Sequence, residues 1–244
     1  MSARKRIPGV IGLKPNHLIG KSEEKKIPKT EELYIDIGAK TKEEAEKNVS
    51  LGEYAAFDSY QTEFGDGCFQ AKAIDDRVGC AVLLNLIREP LPVDCTFVFT
   101  VQEEVGTRGA FGAAFSEQPD IALVVEGTTA ADFPTVPEHK QVCALGKGVV
   151  IPFMDGGTIY DKALYHMLTT IAEEKDMPWQ TKQYISGGTD ARTIQRSRAG
   201  VKTAGIAAAV RYLHAPSSVV SVKDVEALYC MVRGFLEKLS EECV

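Results

Sequence analysis

The sequence predicts an α/β protein: a mainly parallel sheet sandwiched by helices, with a small β-rich domain ahead of it. Three observations carry this. Two near-continuous apolar runs, CTFVFTV at 95–101 and IALVV at 121–125, have the composition of strands covered on both faces. Segments of helical and of extended pattern alternate from about Phe69 to the carboxyl end, as in layered α/β folds. Residues 1–58 differ, being rich in Pro, Gly and Lys with short extended pieces only.

In chain order, Gly9–Gly12 and Leu33–Ile37 read as short strands, set off by turns at Pro8, Pro15 and Pro28. Thr41 followed by Lys42–Lys47 reads as one capped helix. Asp76–Glu89 places Val78, Ala81, Val82 and Leu86 at helical spacing, and Pro90 ends it. The CTFVFTV strand follows, then a short helix over Gly109–Ser116 and the IALVV strand. Beyond these come a helix at Asp161–Lys175, a strand at Thr181–Ile185, a helix at Ala191–Ser197 and a strand at Val201–Ala207. Ser221 caps the last helix, Val222–Leu239, with Asp224 three residues on. The domains expected are therefore 1–58 and 59–244.

Charge and composition exclude several functions. The formal charge is −6 and the isoelectric point about 5.4, with no basic face of the kind nucleic acid requires. Arg4-Lys5-Arg6 and Lys25-Lys26 are short and read as solvated surface. No apolar run is long enough for a membrane span, and the first residues lack the apolar core of a secretory leader. The six cysteines, at 68, 80, 95, 143, 230 and 243, form no CxxC pair and read as reduced thiols of a cytoplasmic protein.

In a parallel sheet, ligands collect beyond the carboxyl ends of strands. Four segments there carry chemistry. Asp75-Asp76 precedes a helix, Glu103-Glu104 follows CTFVFTV, Glu126 follows IALVV, and His214 follows the strand near Ala204. Carboxylates gathered without a counter-charge repel one another, and a divalent cation between them removes the difficulty. Asp, Glu and His ligands suit zinc, cobalt or manganese, and a hydrolase also needs a spare carboxylate to move a proton. Each feature has a plain alternative: Asp75-Asp76 fits a helix N-cap and the first helical residue, both acids favoured by the helix dipole, and a lone histidine after a strand is commonly structural. Asp190 and Asp132 could support the site or be, respectively, a helix cap and a loop acid. Gly156-Gly157 and Gly187-Gly188 could shape substrate loops or simply be turns. Trp179 reads as a packing anchor.

These segments resemble one family. Ala73-Ile74-Asp75-Asp76-Arg77-Val78-Gly79, Gln102-Glu103-Glu104-Val105-Gly106, Val125-Glu126-Gly127-Thr128, Ser186-Gly187-Gly188-Thr189-Asp190 and Arg211-Tyr212-Leu213-His214 are similar, in order, to motifs of the M42 (glutamyl, tetrahedral) metallo-aminopeptidases. Pro8–Pro15 and Tyr34–Ala39 resemble that family's inserted dimerisation domain. The resemblance implies an aminopeptidase with two divalent ions, zinc or cobalt, acting on peptides through a metal-bridging hydroxide. It implies that Asp75 bridges the ions and is followed by a cis peptide. Glu104 and His214 would complete one site, Glu126 would serve the other, and Glu103 would be the general base. It also implies homo-oligomers, dimers building up to a dodecamer.

One departure stands out. The family's HxD-type histidine segment lies upstream of the dimerisation domain and has no counterpart here; His17, His139 and His166 do not match it. The chain is therefore expected to be amino-terminally truncated relative to the family, with one metal site incomplete and apolar sheet edges exposed. Two other functions stay open: a catalytically incomplete assembly subunit, and a glucanase-type hydrolase, which needs two carboxylates and no metal.

Overall fold

The structure is a computed structural model and describes residues 6–18 and 27–242. Arg4-Lys5, Lys25-Lys26 and Cys243, which figure in the sequence reading, lie outside the described residues. The chain divides into two compact units, Met1–Ala56 and Phe57–Val244.

In the first unit, β1 (Val10–Gly12) pairs antiparallel with β2 (Tyr34–Asp36). Helix α1 (Lys42–Glu46) begins at Thr41, whose hydroxyl accepts from Glu44 N at 3.2 Å. Val10, Ile11, Tyr34 and Ile35 are all exposed, so this strand pair presents apolar side chains outward.

The second unit is an α/β layer built on one seven-stranded sheet. Its strands are β3 (Thr62–Phe64), β4 (Cys68–Ala71), β5 (Ile121–Thr129), β6 (Val149–Val150), β7 (Trp179–Gln180), β8 (Lys202–Arg211) and β9 (Ser218–Ser221). The parallel core is β5 on β8, in register from Ile121↔Lys202 to Thr129↔Val210. β6 and β7 are parallel to each other, but β6 meets β8 antiparallel and β3, β4 and β9 add further antiparallel pairings, so among the described residues the sheet is mixed and not mainly parallel as expected. Helices α2 (Ile74–Leu86), α3 (Arg108–Glu117), α4 (Lys162–Glu174), α5 (Ala191–Ile194) and α6 (Val222–Glu242) cover it.

β8 holds the centre because its residues are small. Ala204, Gly205, Ala207, Ala208 and Ala209 let neighbouring elements approach closely, and a Cβ on Gly205 would stand 2.8 Å from the Tyr160 ring. Val82 and Leu86 of α2, Leu168 and Ile171 of α4, and Leu228 and Phe235 of α6 meet in one core that is almost fully withdrawn from water. Deleting such a side chain to alanine typically removes about 2–5 kcal/mol. As read from the sequence, Ser221 Oγ accepts from Asp224 N at 3.4 Å as α6 begins.

Several elements differ from expectation. The helix expected at Ala191–Ser197 ends at Ile194, and the strand expected at Val201–Ala207 runs on to Arg211. CTFVFTV forms no strand: residues 94–100 carry no secondary structure, and Val98, Phe99 and Val101 are exposed. Composition favours a strand there, but a strand exists only where a neighbour completes its ladder. The strand expected at Thr181–Ile185 does not form: β7 is the two residues before it, Trp179–Gln180, and Gln183 N donates to Val142 O as an isolated link. The IALVV strand is longer than expected and continues to Thr129.

Candidate metal centre

The carboxylates are delivered by short, shaped segments. Ala73 is left-handed (φ 50°), the Asp75–Asp76 peptide is cis, and regular helical geometry in α2 begins only after Asp76. Gly79 allows this packing: a Cβ there would lie 2.4 Å from Val125 O and 2.5 Å from Asp76 Oδ2. Its N–H donates to Asp76 Oδ1 at 2.9 Å, so Asp76, itself non-helical, caps the regular part of α2, one residue later than the plain reading, which made Asp75 the cap and Asp76 the first helical residue. Glu103 and Glu104 lie in a turn closed by Gly106 N and Thr107 N, both donating to Glu103 O. Glu126 does not follow its strand. It sits within β5, paired with Ala207 and 9% exposed. His214 (φ 62°) lies between β8 and β9.

Among the described residues two groups of potential ligand atoms result, and Asp75 belongs to both. Asp75, Glu104 and His214 form one, and Asp75, Asp76 and Glu126 the other; within each group the atoms lie within 4.8 Å of one another. His214 Nε2 is 3.3 Å from Asp75 Oδ2 and 3.3 Å from Glu104 Oε2. The first group is open, with the His214 and Glu104 side chains 61% and 58% exposed, while the second is half-buried, with Glu126 its deepest member. Asp76 is not among the ligands expected from the sequence. Neighbouring residues usually face apart, so nothing in the spacing signals it. His17, His139 and His166 belong to neither group; the His166 ring instead meets Tyr165 edge-on.

The electrostatics fit a cation. Burial, then the charge of Glu104, pushes Asp75 up to about 6 despite His214 beside it. Burial raises Asp76 to about 7 against the Gly79 hydrogen bond. Burial followed by Asp76 and Asp75 lifts Glu126 to about 10. Three buried or half-buried acids, Asp75, Asp76 and Glu126, held this close resist ionising together, and a divalent ion supplies the missing positive charge. Glu103, in neither group, is also raised to about 7, by burial and then by Asp190. A spare acid beside a ligand set is what proton transfer requires. Lys182, not singled out in the sequence, is buried, and its positive charge reaches Glu126 and Asp75.

The surrounding loops are tied down. Asp132 is an ion-pair partner: it takes Arg211 Nε and Nη2 at 2.7 Å each, at the base of the His214 loop. Gly156 N donates to Gly187 O at 2.8 Å, joining the two glycine loops. Asp190 Oδ2 accepts from Thr100 Oγ1 at 2.6 Å.

The chain is similar to known proteins in sequence and in fold. The sequence model of a family described as M42 glutamyl aminopeptidase matches residues 1–231. Lysyl aminopeptidase of Pyrococcus furiosus is 30% identical over 239 residues, 95% of this chain and 67% of its own length. The structure of aminopeptidase APDkam598 from the archaeon Desulfurococcus kamchatkensis superposes with a TM-score of 0.89 at 39% identity, over 94% of this chain and 64% of that one. The Pyrococcus horikoshii TET1 peptidase, described as assembling into a tetrahedron or a large octahedral shell, gives 0.79 at 31% identity, over 93% and 67%. The chain spans 62% to 68% of the length of the curated relatives it matches.

Proposed function

The chain belongs to the M42 glutamyl aminopeptidase family, and from that premise we propose that it is part of a metal-dependent aminopeptidase that removes amino-terminal residues from peptides. The observation that carries the proposal is the sharing of Asp75 between two ligand groups, which suits a pair of divalent ions, zinc or cobalt, with Asp75 between them. Glu104 and His214 would complete one position. Glu126, joined by Asp76, would serve the other. When bound, such ions polarise a peptide carbonyl and make water acidic enough to attack it near neutral pH.

The remaining work falls to the chain. Glu103 takes a proton from the attacking water and returns it to the departing amine nitrogen, so one carboxyl group serves as base and then acid. Its pKa near 7 suits both tasks. The Asp132–Arg211 pair holds the segment carrying His214 in place. The histidine in the first group favours metal hydrolysis over a glucanase, which would rely on a carboxylate pair alone.

Oligomer formation is proposed through the first unit, whose β1–β2 strand pair exposes Val10, Ile11, Tyr34 and Ile35. TET1 assembly supports that reading by family likeness. Cytoplasmic action on peptides accords with it; among the described residues no helix is long and apolar enough to cross a membrane.

The test is metal titration by calorimetry with zinc and cobalt, followed by hydrolysis of aminoacyl p-nitroanilides. Two ions per chain with turnover that a chelator abolishes is the expected result. Stoichiometric metal without turnover would identify the chain as a catalytically incomplete subunit, and no metal would overturn the assignment.

A further inference from the structure

The segments that bring Asp75 and His214 together leave the sheet side by side. β4 and β9 pair antiparallel as far as Ala71↔Ser218, and there the ladder ends. Asp75 lies four residues beyond Ala71, and His214 four residues before Ser218. His214 Nε2 nonetheless stands 3.3 Å from Asp75 Oδ2. Sheet bonding stops short of this approach, so other contacts must hold it.

The His214 loop needs support. Tyr212 (φ 59°) and His214 (φ 62°) are both left-handed, a conformation that residues with a Cβ keep only when their surroundings impose it. Ala215 N and Ser218 Oγ each donate to Tyr212 O at 3.0 Å, and Asp132 fixes Arg211. These bonds anchor the side of the loop that precedes His214. The His214 side chain is 61% exposed, so packing adds little.

Past His214 the anchor comes from a distant part of the second unit. Ser59 Oγ donates to Pro216 O, two residues beyond His214. Two residues before Ser59, Phe57 O accepts from Lys72 Nζ at 2.9 Å. Lys72 opens the segment that leads to Asp75. Residues 57–59 therefore hold both ligand segments, one at each end, where the β4–β9 ladder no longer does.

We propose that residues 57–59 form a strap that sets the spacing of His214 from Asp75, with Ser59 and Lys72 as positioning residues for the group Asp75, Glu104 and His214. Ser59 acts through the backbone at Pro216, and Lys72 through the segment before Asp75. The purpose of the strap rests on the metal reading, whereas its existence does not.

Amide hydrogen exchange on the metal-free chain and calorimetric titration with cobalt test it on the same variants. In Ser59→Ala, exchange over residues 212–218 should quicken about three- to tenfold, the range of one hydrogen bond's net contribution. Cobalt affinity should fall by a similar factor at the position formed by Asp75, Glu104 and His214, and stay unchanged at the position formed by Asp75, Asp76 and Glu126. Ser59→Thr keeps the hydroxyl and should behave as the parent does. Lys72→Met keeps the stem and loses the donor, and it should weaken cobalt at the His214 position. Loss of a positive charge alone would strengthen cation binding, so the sign separates positioning from charge. The proposal is overturned if Ser59→Ala exchanges and binds cobalt as the parent does, or if both cobalt positions weaken equally. It is also overturned if Ser59→Thr loses as much as Ser59→Ala, or if Lys72→Met binds cobalt more tightly. A parent that binds no cobalt would sink the metal reading instead, and exchange over residues 212–218 would still decide whether the strap holds the loop.

Discussion

Asp132 grips Arg211 with both carboxylate oxygens, at 2.7 Å to Nε and 2.7 Å to Nη2, and the same carboxylate accepts from Leu145 N at 3.0 Å. Burial alone would raise the Asp132 pKa, but the Arg211 bonds and the Leu145 amide more than offset it and hold the group below its ordinary value of 3.8. A carboxyl group whose folded pKa is lowered stabilises the fold above its unfolded pKa, and the contribution disappears as pH falls through the folded value. Asp132→Asn should therefore destabilise the protein by about 1–3 kcal/mol at neutral pH, the range for hydrogen bonds to charged groups. In urea titrations the gap between variant and parent should narrow steadily below about pH 4. A gap unchanged at pH 3 would show that the pair's charge contributes nothing.

The same loop shows how far the sequence could be read. His214 was visible because a histidine follows a buried strand, and β5 was visible in IALVV because a doubly covered strand must be apolar throughout. Glu126 was identified but placed past the strand end, since a glutamate normally terminates such a run; here β5 continues through it to Thr129. The grouping of Asp76 with Asp75 and Glu126 depends on local backbone geometry and has no signature in residue spacing. Lys182 went unnoticed because an isolated lysine in a polar stretch reads as surface, and its burial comes entirely from tertiary packing. CTFVFTV was misread for the opposite reason. Its composition is that of a strand, but ladder formation depends on a neighbour that local sequence does not specify.

The shared position of Asp75 makes ligand substitutions unequal. Asp75→Asn should lower affinity for both metal equivalents, whereas His214→Ala should affect the open position alone and Glu126→Gln the buried one. Even outer partners of metal ligands change affinity about 10–100-fold, so direct ligands should exceed that range. Calorimetric titration with cobalt resolves the two steps. If His214→Ala and Glu126→Gln weaken the same step, the two-position assignment is wrong.

Gly79 joins packing to the site. A methyl group there would press on Val125 O at 2.4 Å and on both Asp76 carboxylate oxygens, at 2.5 and 2.8 Å. Backbone cannot yield cheaply, so α2 must shift away from β5. Overpacking of this kind destabilises by about 1–3 kcal/mol. Gly79→Ala should lower the thermal midpoint and also weaken metal at the position formed by Asp75, Asp76 and Glu126, while leaving the His214 position nearer to normal. Loss of stability without any change in metal affinity would separate Asp76 from the site.

Glu103 is the residue on which the chemical proposal turns, because it belongs to neither ligand group and still faces both Glu104 and Asp75 electrostatically. Glu103→Gln keeps the shape and removes the ability to take a proton. If the residue is a proton shuttle, metal stoichiometry and affinity should remain near those of the parent and KM should change little, while kcat falls about 10²–10⁴-fold, the usual contribution of general acid–base catalysis. If it were a ligand, the variant would lose metal in proportion to its loss of rate, and added cobalt would restore turnover. Measuring bound metal and kcat on the same sample separates the two. A variant with full metal content and parental kcat would remove Glu103 from the mechanism and leave proton transfer to another acid lining the cleft, with Asp190 the next candidate.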